Sequence, residues 1–341
     1  MITGNRNRLA EQIITICKDE LRFSLAGITP ARPTSHPGVL GSWLRAGKHG
    51  SMEWITNHTD MRVDPDKLLP GARSVILVAD IYAQRGDDDA DHPDMPARAG
   101  RIARYARGKD YHRVIKRRLH TLTDRLSEQY RREKFKAFVD TAPILEREHA
   151  SRAGLGWVGK HTLLIHPEVG SYILLGGVLT TLEIPSPADQ RPVDDHCGTC
   201  TKCIDACPTD AITPYSVDAS RCISEMTIER RDAIPEEFHE SIGDWLFGCD
   251  ICQEVCPHNS ARPDGVEQPN ILAAYQPKRR AFDVLEVLGW TEDDRREAFI
   301  NSSMKRAKYD MMQRNALIVA KNLLREKDDP ALQAAVEARE L

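Results

Sequence analysis

The sequence predicts a mixed α/β (α+β) fold with a small cysteine-rich segment and a helical C-terminal region behind it. Strands alternate with helices between residues 70 and 180, which is typical of a three-layer α/β domain. Eight of the nine cysteines fall between Cys197 and Cys256. Proline-rich stretches near residues 185–192 and 263–269 mark the breaks between these parts. The predicted domains are residues 1–185, 186–262 and 263–341.

The bulk composition is that of an ordinary globular protein. The 341 residues are 41% hydrophobic and 29% charged, and the net charge of −4 gives no general attraction to nucleic acid or anionic membranes. No apolar run reaches the roughly 18 residues that a membrane-spanning helix needs. The first residues, Met1 to Arg6, resemble neither a secretory signal nor a twin-arginine leader, so a cytoplasmic protein is expected.

Hydrophobic spacing predicts the elements of the first region. The first helix places Ile13 and Cys17 on one apolar face, so Cys17 is predicted to be a buried core thiol and not a ligand. The elements, in order, are a helix over residues 7–25, a strand over 73–80, a loop over 86–96, a helix over 111–131, a strand over 135–140, a helix over 146–153, and a hairpin of 161–165 with 171–180. Residues 281–341 are predicted to be helical throughout, as a HEAT-like hairpin that packs on the rest.

A basic stretch covers residues 101–118, with eight lysines or arginines and one acidic residue. Charge runs of this kind are usually a solvated helix face. The alternative is a local patch for a polyanion, which would be needed because the chain as a whole is acidic.

The cysteine segment has the spacing of a bacterial two-cluster ferredoxin. Cys197 to Cys207 follow C-x2-C-x2-C-x3-C-P, in which the fourth cysteine ligates the other cluster. Cys249 to Cys256 repeat C-x2-C-x3-C-P without the leading cysteine, since position 246 is leucine. Cys222 is predicted to fill that vacancy.

The cross-ligation pattern assigns the eight thiolates to two [4Fe–4S] clusters. The first cluster takes Cys197, Cys200, Cys203 and Cys256, and the second cluster takes Cys207, Cys222, Cys249 and Cys252. The alternative is two zinc sites with four thiolates each. Three consecutive cysteines at this spacing, with a Cys-Pro in both halves, favour the clusters.

Several longer motifs carry a resemblance to a known family. They lie at residues 69–75, 105–112, 139–147, 152–160 and 247–259. Together they resemble epoxyqueuosine reductase over roughly residues 5–325. The resemblance implies reduction of epoxyqueuosine to queuosine at the wobble position of tRNA. It also implies a base-off cobalamin in the first domain, which the two clusters supply with electrons.

The implied partners are a tRNA with a GUN anticodon and an external low-potential donor of the flavodoxin or ferredoxin type, with no membrane and no DNA. Two other functions stay open at this point. A reductive dehalogenase-like corrinoid enzyme acting on a small molecule would not need the basic stretch. A non-enzymatic electron-transfer subunit would leave the first domain unexplained.

Asp140 is the residue that the resemblance makes the proton donor. It ends a predicted strand before a Thr-Ala-Pro turn, although such a residue can simply cap a turn. Burial against a corrin is expected to raise its pKa, so that it could donate a proton at neutral pH. Asp110, Tyr111, His112 and Arg147 match other active-site positions. Their simpler interpretations are a helix N-cap for Asp110, a solvated His112 and an ion pair for Arg147.

The resemblance also implies contacts to cobalamin and to tRNA. The cobalamin contacts are expected at Arg62, Tyr105, Asp140, Lys160, His161, Ser171, Ser224 and Asp250. Two positions near this pocket depart from the family pattern: His161 replaces the usual asparagine, and Gly177 replaces an acidic residue. The expected phosphate contacts are Arg101, Arg104, Arg107, Lys109 and Arg113.

Overall fold

The computed structural model describes residues 2–87, 89, 92–261 and 269–340, with side chains from residue 8 to residue 339 within these ranges. The predicted chain break at Pro263, the predicted boundary at 262/263 and part of the predicted loop at 86–96 lie outside the described residues. The helices are α1 (Ile2–Thr15), α2 (Pro37–Arg45), α3 (Thr59–Val63), α4 (Pro65–Leu68), α5 (Tyr111–Gln129), α6 (Glu146–Arg152), α7 (Lys202–Asp205), α8 (Ile223–Ile228), α9 (His239–Ile242), α10 (Ile251–Glu254), α11 (Val284–Gly289), α12 (Glu292–Ala298), α13 (Tyr309–Glu326) and α14 (Pro330–Glu340). The strands are β1 (Leu25–Pro30), β2 (Ser74–Ile81), β3 (Ala99–Ile102), β4 (Phe135–Phe138), β5 (Trp157–Val158), β6 (Leu164–Ile165), β7 (Ile173–Thr180), β8 (Ile212–Thr213), β9 (Ser216–Val217), β10 (Trp245–Phe247) and β11 (Ala281–Asp283).

A four-stranded antiparallel sheet of order β1-β2-β7-β4 forms the middle layer of the first region. Every residue of β2 is buried, and its side chains alternate between two cores. Ile76 and Val78 pack on the side of α1 and α5, whereas Val75 and Leu77 pack on the side of α6. The predicted three-layer arrangement of helices on both faces of a sheet is therefore confirmed.

Two predicted elements of this region are wrong. The first helix does not reach residue 25, because α1 is followed by a π-helical segment, Ile16–Glu20, and the chain then enters β1. The hairpin of 161–165 with 171–180 does not form, because β6 pairs with β5 and β7 joins the main sheet. Cys17 is fully buried as predicted, and burial raises its pKa to about 12.

A second, three-stranded sheet of order β10-β3-β11 draws one strand from each of the three predicted domains. The core above it combines Ile102, Phe247 and Val319, so the C-terminal helices pack on both earlier regions. Residues 281–341 are therefore not helical throughout, since Ala281–Asp283 is a strand. None of the helices in the described ranges is both long and apolar enough to span a bilayer.

Candidate active site

Asp140 lies in the turn that follows β4. Its backbone is left-handed, with φ at 38°, a conformation that aspartate tolerates better than most residues. About half of its side chain, 53%, is exposed, although Val139 beside it is buried. Ligands often bind at the carboxyl ends of parallel strands. β4 belongs to an antiparallel sheet, so that tendency does not explain the position of Asp140. The tight turn itself presents the carboxylate.

The start of α5 brings three predicted residues onto this carboxylate. Asp110 caps the helix by accepting the backbone N–H of His112 at 3.1 Å, so its predicted N-cap role is confirmed. Tyr111 donates its hydroxyl to Asp140 Oδ2 at 2.6 Å. The His112 ring lies between two carboxylates, with Nδ1 2.9 Å from Asp110 Oδ1 and Nε2 3.1 Å from Asp140 Oδ2. His112 is therefore not merely solvated.

These contacts determine the protonation states. Burial disfavours the charged imidazole, but hydrogen bonds to Asp110 and Asp140 raise the pKa of His112 to about 9. Burial also opposes ionisation of Asp140, yet hydrogen bonds from His112 and Tyr111 hold the pKa of Asp140 below its ordinary value. Within the chain alone the pKa of Asp140 is therefore lowered, and the expected rise on burial against a corrin stays a prediction. At neutral pH the proton resides on His112.

Arg147, at the start of α6, makes no ion pair among the described residues. Its Nη1 donates to the carbonyl oxygen of Thr162 at 2.6 Å. Its positive charge nevertheless contributes to lowering the pKa of Asp140. Burial raises the pKa of the neighbouring Glu146. Arg147 therefore acts on the site by charge and holds the loop after β5.

Four of the predicted cobalamin contacts remain available for a ligand. His161 is buried, its Nδ1 accepts the N–H of Leu163, and its Nε2 has no partner. Burial lowers the pKa of His161 to about 4, so the ring is neutral with a hydrogen on Nε2. The Nε of Arg62 is also buried without a partner. Tyr105 packs edge-on against Tyr111, and Ser224 donates to the carbonyl of Cys249 at 3.4 Å.

Asp140 contacts Tyr111 and His112, and the three remaining predicted cobalamin contacts also have partners within the chain. Lys160 donates its Nζ to two carbonyl oxygens of the cysteine segment. Ser171 Oγ is buried and accepts from Gln253 and Asn259, at 3.0 and 2.8 Å. Asp250 is buried on Arg104, whose backbone N–H it accepts at 2.7 Å. Within the chain these three polar groups hold the protein's own segments together, and their contacts with cobalamin stay predictions.

Gly177 does not lie at a strand end near the pocket. It occupies the middle of β7, between Leu77 and Phe138. A β-carbon there would collide with the carbonyl of Ile76 and the ring of Phe138. Glycine is thus required by the packing of the sheet, and the position cannot carry the acidic side chain that the family pattern suggested.

All eight clustered cysteines are free thiols, and their assignment to two ligand sets stays a prediction. Their charge interactions fall mainly within the predicted sets, although Cys203 of the first set also acts on Cys252 of the second. Burial raises the pKa of Cys203, and repulsion from Cys197 and Cys200 raises it further. Burial likewise raises the pKa of Cys256, to which Cys197, Cys203 and Cys200 add. In the other set, burial raises the pKa of Cys222, and Cys207 adds to that rise. Burial also raises the pKa of Cys249, and Cys252 and Cys222 add to it. Four thiols in each of two neighbouring sets match the number of ligands that two cubanes need.

The alternative of zinc receives no support from this geometry. A zinc site needs four ligands converging on one ion. In the described ranges, no three His, Cys, Asp or Glu side chains converge closely enough for that. The argument for the clusters is the spacing of three consecutive cysteines and a Cys-Pro in both halves.

Part of the predicted tRNA surface is wrong. Arg104 and Arg107 are each only 3% exposed. Arg107 forms a two-pronged ion pair with Asp89, and Arg104 pairs with Asp250 and Glu254. Arg101 is mostly covered as well, since it stacks over Trp245 and pairs with Glu254. These side chains are therefore neither a solvated face nor phosphate contacts, because they are covered and their charges already pair with carboxylates.

Lys109 and Arg113 remain exposed, and the fold adds basic residues to them that the sequence did not reveal. Arg113 donates to the side chain of Asn301, and the carbonyl of Asn301 accepts the N–H of Asp110. This contact places the exposed Lys305 and Arg306 beside the start of α5. Nothing local in the sequence signals the juxtaposition, since about 190 residues separate the two segments.

An exposed tryptophan lies on the same side. Trp54 is 44% exposed, and the guanidinium carbons of Arg62 and Arg306 lie 5.7 and 5.9 Å from its ring centroid. Arg306 also pairs with Glu229, and the negative charge of Asp140 contributes to raising the pKa of Arg306. We call Lys109, Arg113, Lys305 and Arg306 the basic rim.

Two family models match the chain. One is described as "Epoxyqueuosine reductase QueG, DUF1730" and covers residues 62–141, which contain Asp110 and Asp140. The other is described as "4Fe-4S double cluster binding domain" and covers residues 196–259, which contain all eight clustered cysteines.

Curated relatives are similar over most of their length. The epoxyqueuosine reductase of Leadbetterella byssophila is 41% identical over 304 residues, 88% of this chain and 95% of that protein. The epoxyqueuosine reductase of Xanthomonas campestris pv. campestris is 38% identical over 336 residues, 97% of this chain and 90% of that protein.

Solved structures share the fold over 97% of this chain and 89% of theirs. A selenomethionine-labelled epoxyqueuosine reductase superposes with a TM-score of 0.82 at 29% identity. An epoxyqueuosine reductase with an epoxyqueuosine-modified tRNA(Tyr) stem loop gives 0.79 at 29% identity. The Bacillus subtilis enzyme, with its catalytic aspartate loop swung out of the active site, gives 0.76 at 27% identity.

Proposed function

Since this chain belongs to the epoxyqueuosine reductase family, we propose that Asp140, His112 and Tyr111 form the site at which it reduces epoxyqueuosine in tRNA to queuosine. Membership makes the chain an oxidoreductase whose cofactors are two [4Fe–4S] clusters and cobalamin. It also sets aside the dehalogenase-like enzyme and the plain electron-transfer subunit. The observation that carries the proposed site is the convergence of three polar side chains on one half-exposed carboxylate.

The reaction has a fixed balance of atoms and electrons. Both carbon–oxygen bonds of the epoxide break, a carbon–carbon double bond forms, and the oxygen leaves as water. This change consumes two electrons and two protons. The chain must therefore deliver electrons to one side of the substrate and two protons to its oxygen.

Asp140 and His112 are suited to deliver those protons. Asp140 is the exposed member and would contact the epoxide oxygen, while His112 holds a proton 3.1 Å from Asp140 Oδ2. An alkoxide is far more basic than a carboxylate, so one proton passes readily from His112 through Asp140 to the opened epoxide. His112, whose side chain is 31% exposed, would then take up a second proton from solvent and pass it to the departing oxygen, which leaves as water. Asp110 keeps the imidazole oriented, and Tyr111 fixes the acceptor oxygen.

The residues present fit a corrin beside this group. His161 and Arg62 are buried donors without partners, and buried donors normally have them. Amide side chains of a base-off cobalamin would satisfy both, with Tyr105 and Ser224 as further contacts. When bound, cobalamin supplies the reductive chemistry at the epoxide carbons. The chain's part is to hold it, to exclude water and to position Asp140.

The cluster ligands lie beside this site, where the clusters would pass electrons to it. Asp250 lies between the second-cluster ligands Cys249 and Cys252 and contacts Arg104, which precedes Tyr105. Ser224, another proposed corrin contact, donates to the carbonyl of Cys249, so the second-cluster ligands adjoin the proposed corrin pocket. The first cluster would receive single electrons from a flavodoxin- or ferredoxin-type donor.

The substrate would approach across the basic rim. The related enzyme with a modified tRNA(Tyr) stem loop supports an RNA substrate for this chain. A tRNA must splay its wobble base out of the loop to reach Asp140, and phosphates on either side would then face the basic rim. The neighbouring Trp54 offers an aromatic surface for an unstacked base.

A single-turnover assay tests the proposal. Reconstituted, chemically reduced protein with cobalamin should convert an epoxyqueuosine stem loop to queuosine, detected by mass spectrometry as loss of one oxygen. Asp140→Asn keeps the volume but cannot donate a carboxyl proton, so the rate constant should fall at least about 10²-fold. Cluster, cobalamin and stem-loop binding should stay intact. A wild-type rate for this variant would contradict the role of Asp140.

A further inference from the structure

Lys160 reaches from the loop after β5 into the cysteine segment. Its Nζ donates to the carbonyl oxygen of Gly198 at 2.6 Å and to that of Cys200 at 2.9 Å. Both carbonyls lie between or at the first two ligands of the first cluster, Cys197 and Cys200. The ammonium group of Lys160 therefore anchors the loop that carries two of the four ligands of this cluster.

A second set of contacts holds the other end of the same loop. Asp195 accepts the N–H of Cys197 at 2.7 Å and the hydroxyl of Tyr215. The backbone N–H of Tyr215 in turn donates to the carbonyl of Lys160 at 3.0 Å. The loop is otherwise open, since Gly198 is exposed and a β-carbon there would meet nothing within 4 Å. Lys160 thus gives the loop both an anchor and a positive charge.

The charge matters because each electron that enters a cluster adds a negative charge. Carbonyl oxygens beside a cluster disfavour that addition, and an ammonium group bonded to them opposes their effect. We propose that Lys160 is a positioning residue for the first cluster, which holds the Cys197–Cys200 loop and raises the reduction potential of that cluster. This inference rests on the proposed assignment of Cys197, Cys200, Cys203 and Cys256 to one cluster.

Three variants separate charge from hydrogen bonding. Lys160→Gln keeps an N–H donor and removes the charge, whereas Lys160→Arg keeps both. Lys202→Gln is the matched control, because Lys202 is an exposed lysine two residues after Cys200. The reconstituted proteins would be compared by iron content, by cobalamin affinity and by redox titration followed with electron paramagnetic resonance.

In Lys160→Gln the one-electron reduction equilibrium of one cluster should become about tenfold less favourable, a shift of ~59 mV to lower potential. Lys160→Arg and Lys202→Gln should stay within about twofold of the wild type. Unchanged potentials in Lys160→Gln, or an equal shift in Lys202→Gln, would overturn the proposal. Weaker cobalamin binding with unchanged potentials would overturn it too, since that result returns Lys160 to the corrin pocket.

Iron content distinguishes a failure of the proposed role of Lys160 from a failure of the two-cluster assignment on which it rests. A wild-type protein with far fewer than about eight irons would contradict the assignment of two clusters and not the role of Lys160. If Lys160→Gln alone loses about four irons while Lys160→Arg keeps eight, the anchoring role is supported directly. Loss of the same irons from both variants would contradict it, because arginine preserves the charge and the donors.

Discussion

Replacing His112 with glutamine tests whether the imidazole is the proton reservoir of the active site. Glutamine keeps an N–H donor toward Asp140 but cannot transfer a proton. In the wild type, the ring lies 2.9 Å from Asp110 Oδ1 and 3.1 Å from Asp140 Oδ2, and these carboxylates raise its pKa to about 9. Loss of general acid catalysis by this group should slow single-turnover reduction by about 10²- to 10⁴-fold at pH 7.5.

The pH dependence follows from the same contacts. A raised pKa means that the charged ring exists below about pH 9 and is lost as the pH rises through that value. With a pKa of about 9, about 97% of His112 carries its second proton at pH 7.5, about half at pH 9 and about 9% at pH 10. The wild-type rate constant should therefore be nearly constant from pH 7 to 8 and should fall about tenfold per unit well above pH 9.

The assay is single-turnover reduction of an epoxyqueuosine stem loop by chemically reduced protein between pH 7 and 10. His120→Gln is the matched control, because His120 is an exposed histidine two turns further along α5. It should leave both the rate and the pH profile unchanged. A flat wild-type profile up to pH 10, or a decline that persists in His112→Gln, would refute the reasoning. Loss of cobalamin or stem-loop binding in that variant would indicate a structural role.

Three further outcomes are expected. Cys222→Ser should lose one cluster only, so that iron analysis falls from about eight to about four per chain; complete loss or full retention would contradict the ligand sets. Exchanging Arg113 and Lys305 for glutamine should weaken stem-loop binding and make its salt dependence shallower by roughly 0.7 per lost phosphate contact, whereas Lys116→Gln, on the exposed part of α5, should not. Arg104→Met should lower the free energy of unfolding in denaturant titrations by about 3–5 kcal/mol, because it leaves the carboxylate of Asp250 buried without the guanidinium that pairs with it. Arg117→Met should be neutral, and a neutral Arg104→Met would show that water or another cation replaces the guanidinium.

The elements with strong local signals were predictable. The spacing of Ile115, Leu119 and Leu122 predicts α5, and a run of apolar residues predicts β2, because these patterns depend on one element and the core beneath it. The cysteine spacing predicts both ligand sets for the same reason, since a cubane dictates where successive thiolates can lie.

The missed elements depend on contacts between distant segments. β1 contains glycine and proline, which indicate a loop. It forms because Gly27 has no side chain and lets the end of α6 approach, where a β-carbon would strike the carbonyl of Ala153. β6 pairs with β5 through only two residues of each strand, and a pairing this short leaves no periodicity to detect.

The basic stretch at residues 101–118 shows how far the site could be predicted from the sequence. Its charges are plain in the sequence, but the carboxylates that neutralise Arg104 and Arg107 come from positions 89, 250 and 254. A charge count along the chain cannot distinguish a buried ion network from an exposed patch. The position of Asp140 was predictable from its strand and turn, whereas its low pKa depends on neighbours that the fold supplies.

The central strand of the second sheet has a consequence for how the protein is made. β3 emerges from the ribosome early, but its partners are β10 and then β11, more than 140 residues later. The backbone N–H of Asp110 likewise waits for the carbonyl of Asn301. The four strands of the sheet around β2 all precede residue 181, yet the start of α5, which carries His112, stays incomplete until Asn301 is synthesised. Chains released prematurely therefore contain every cysteine ligand and still lack a finished catalytic group.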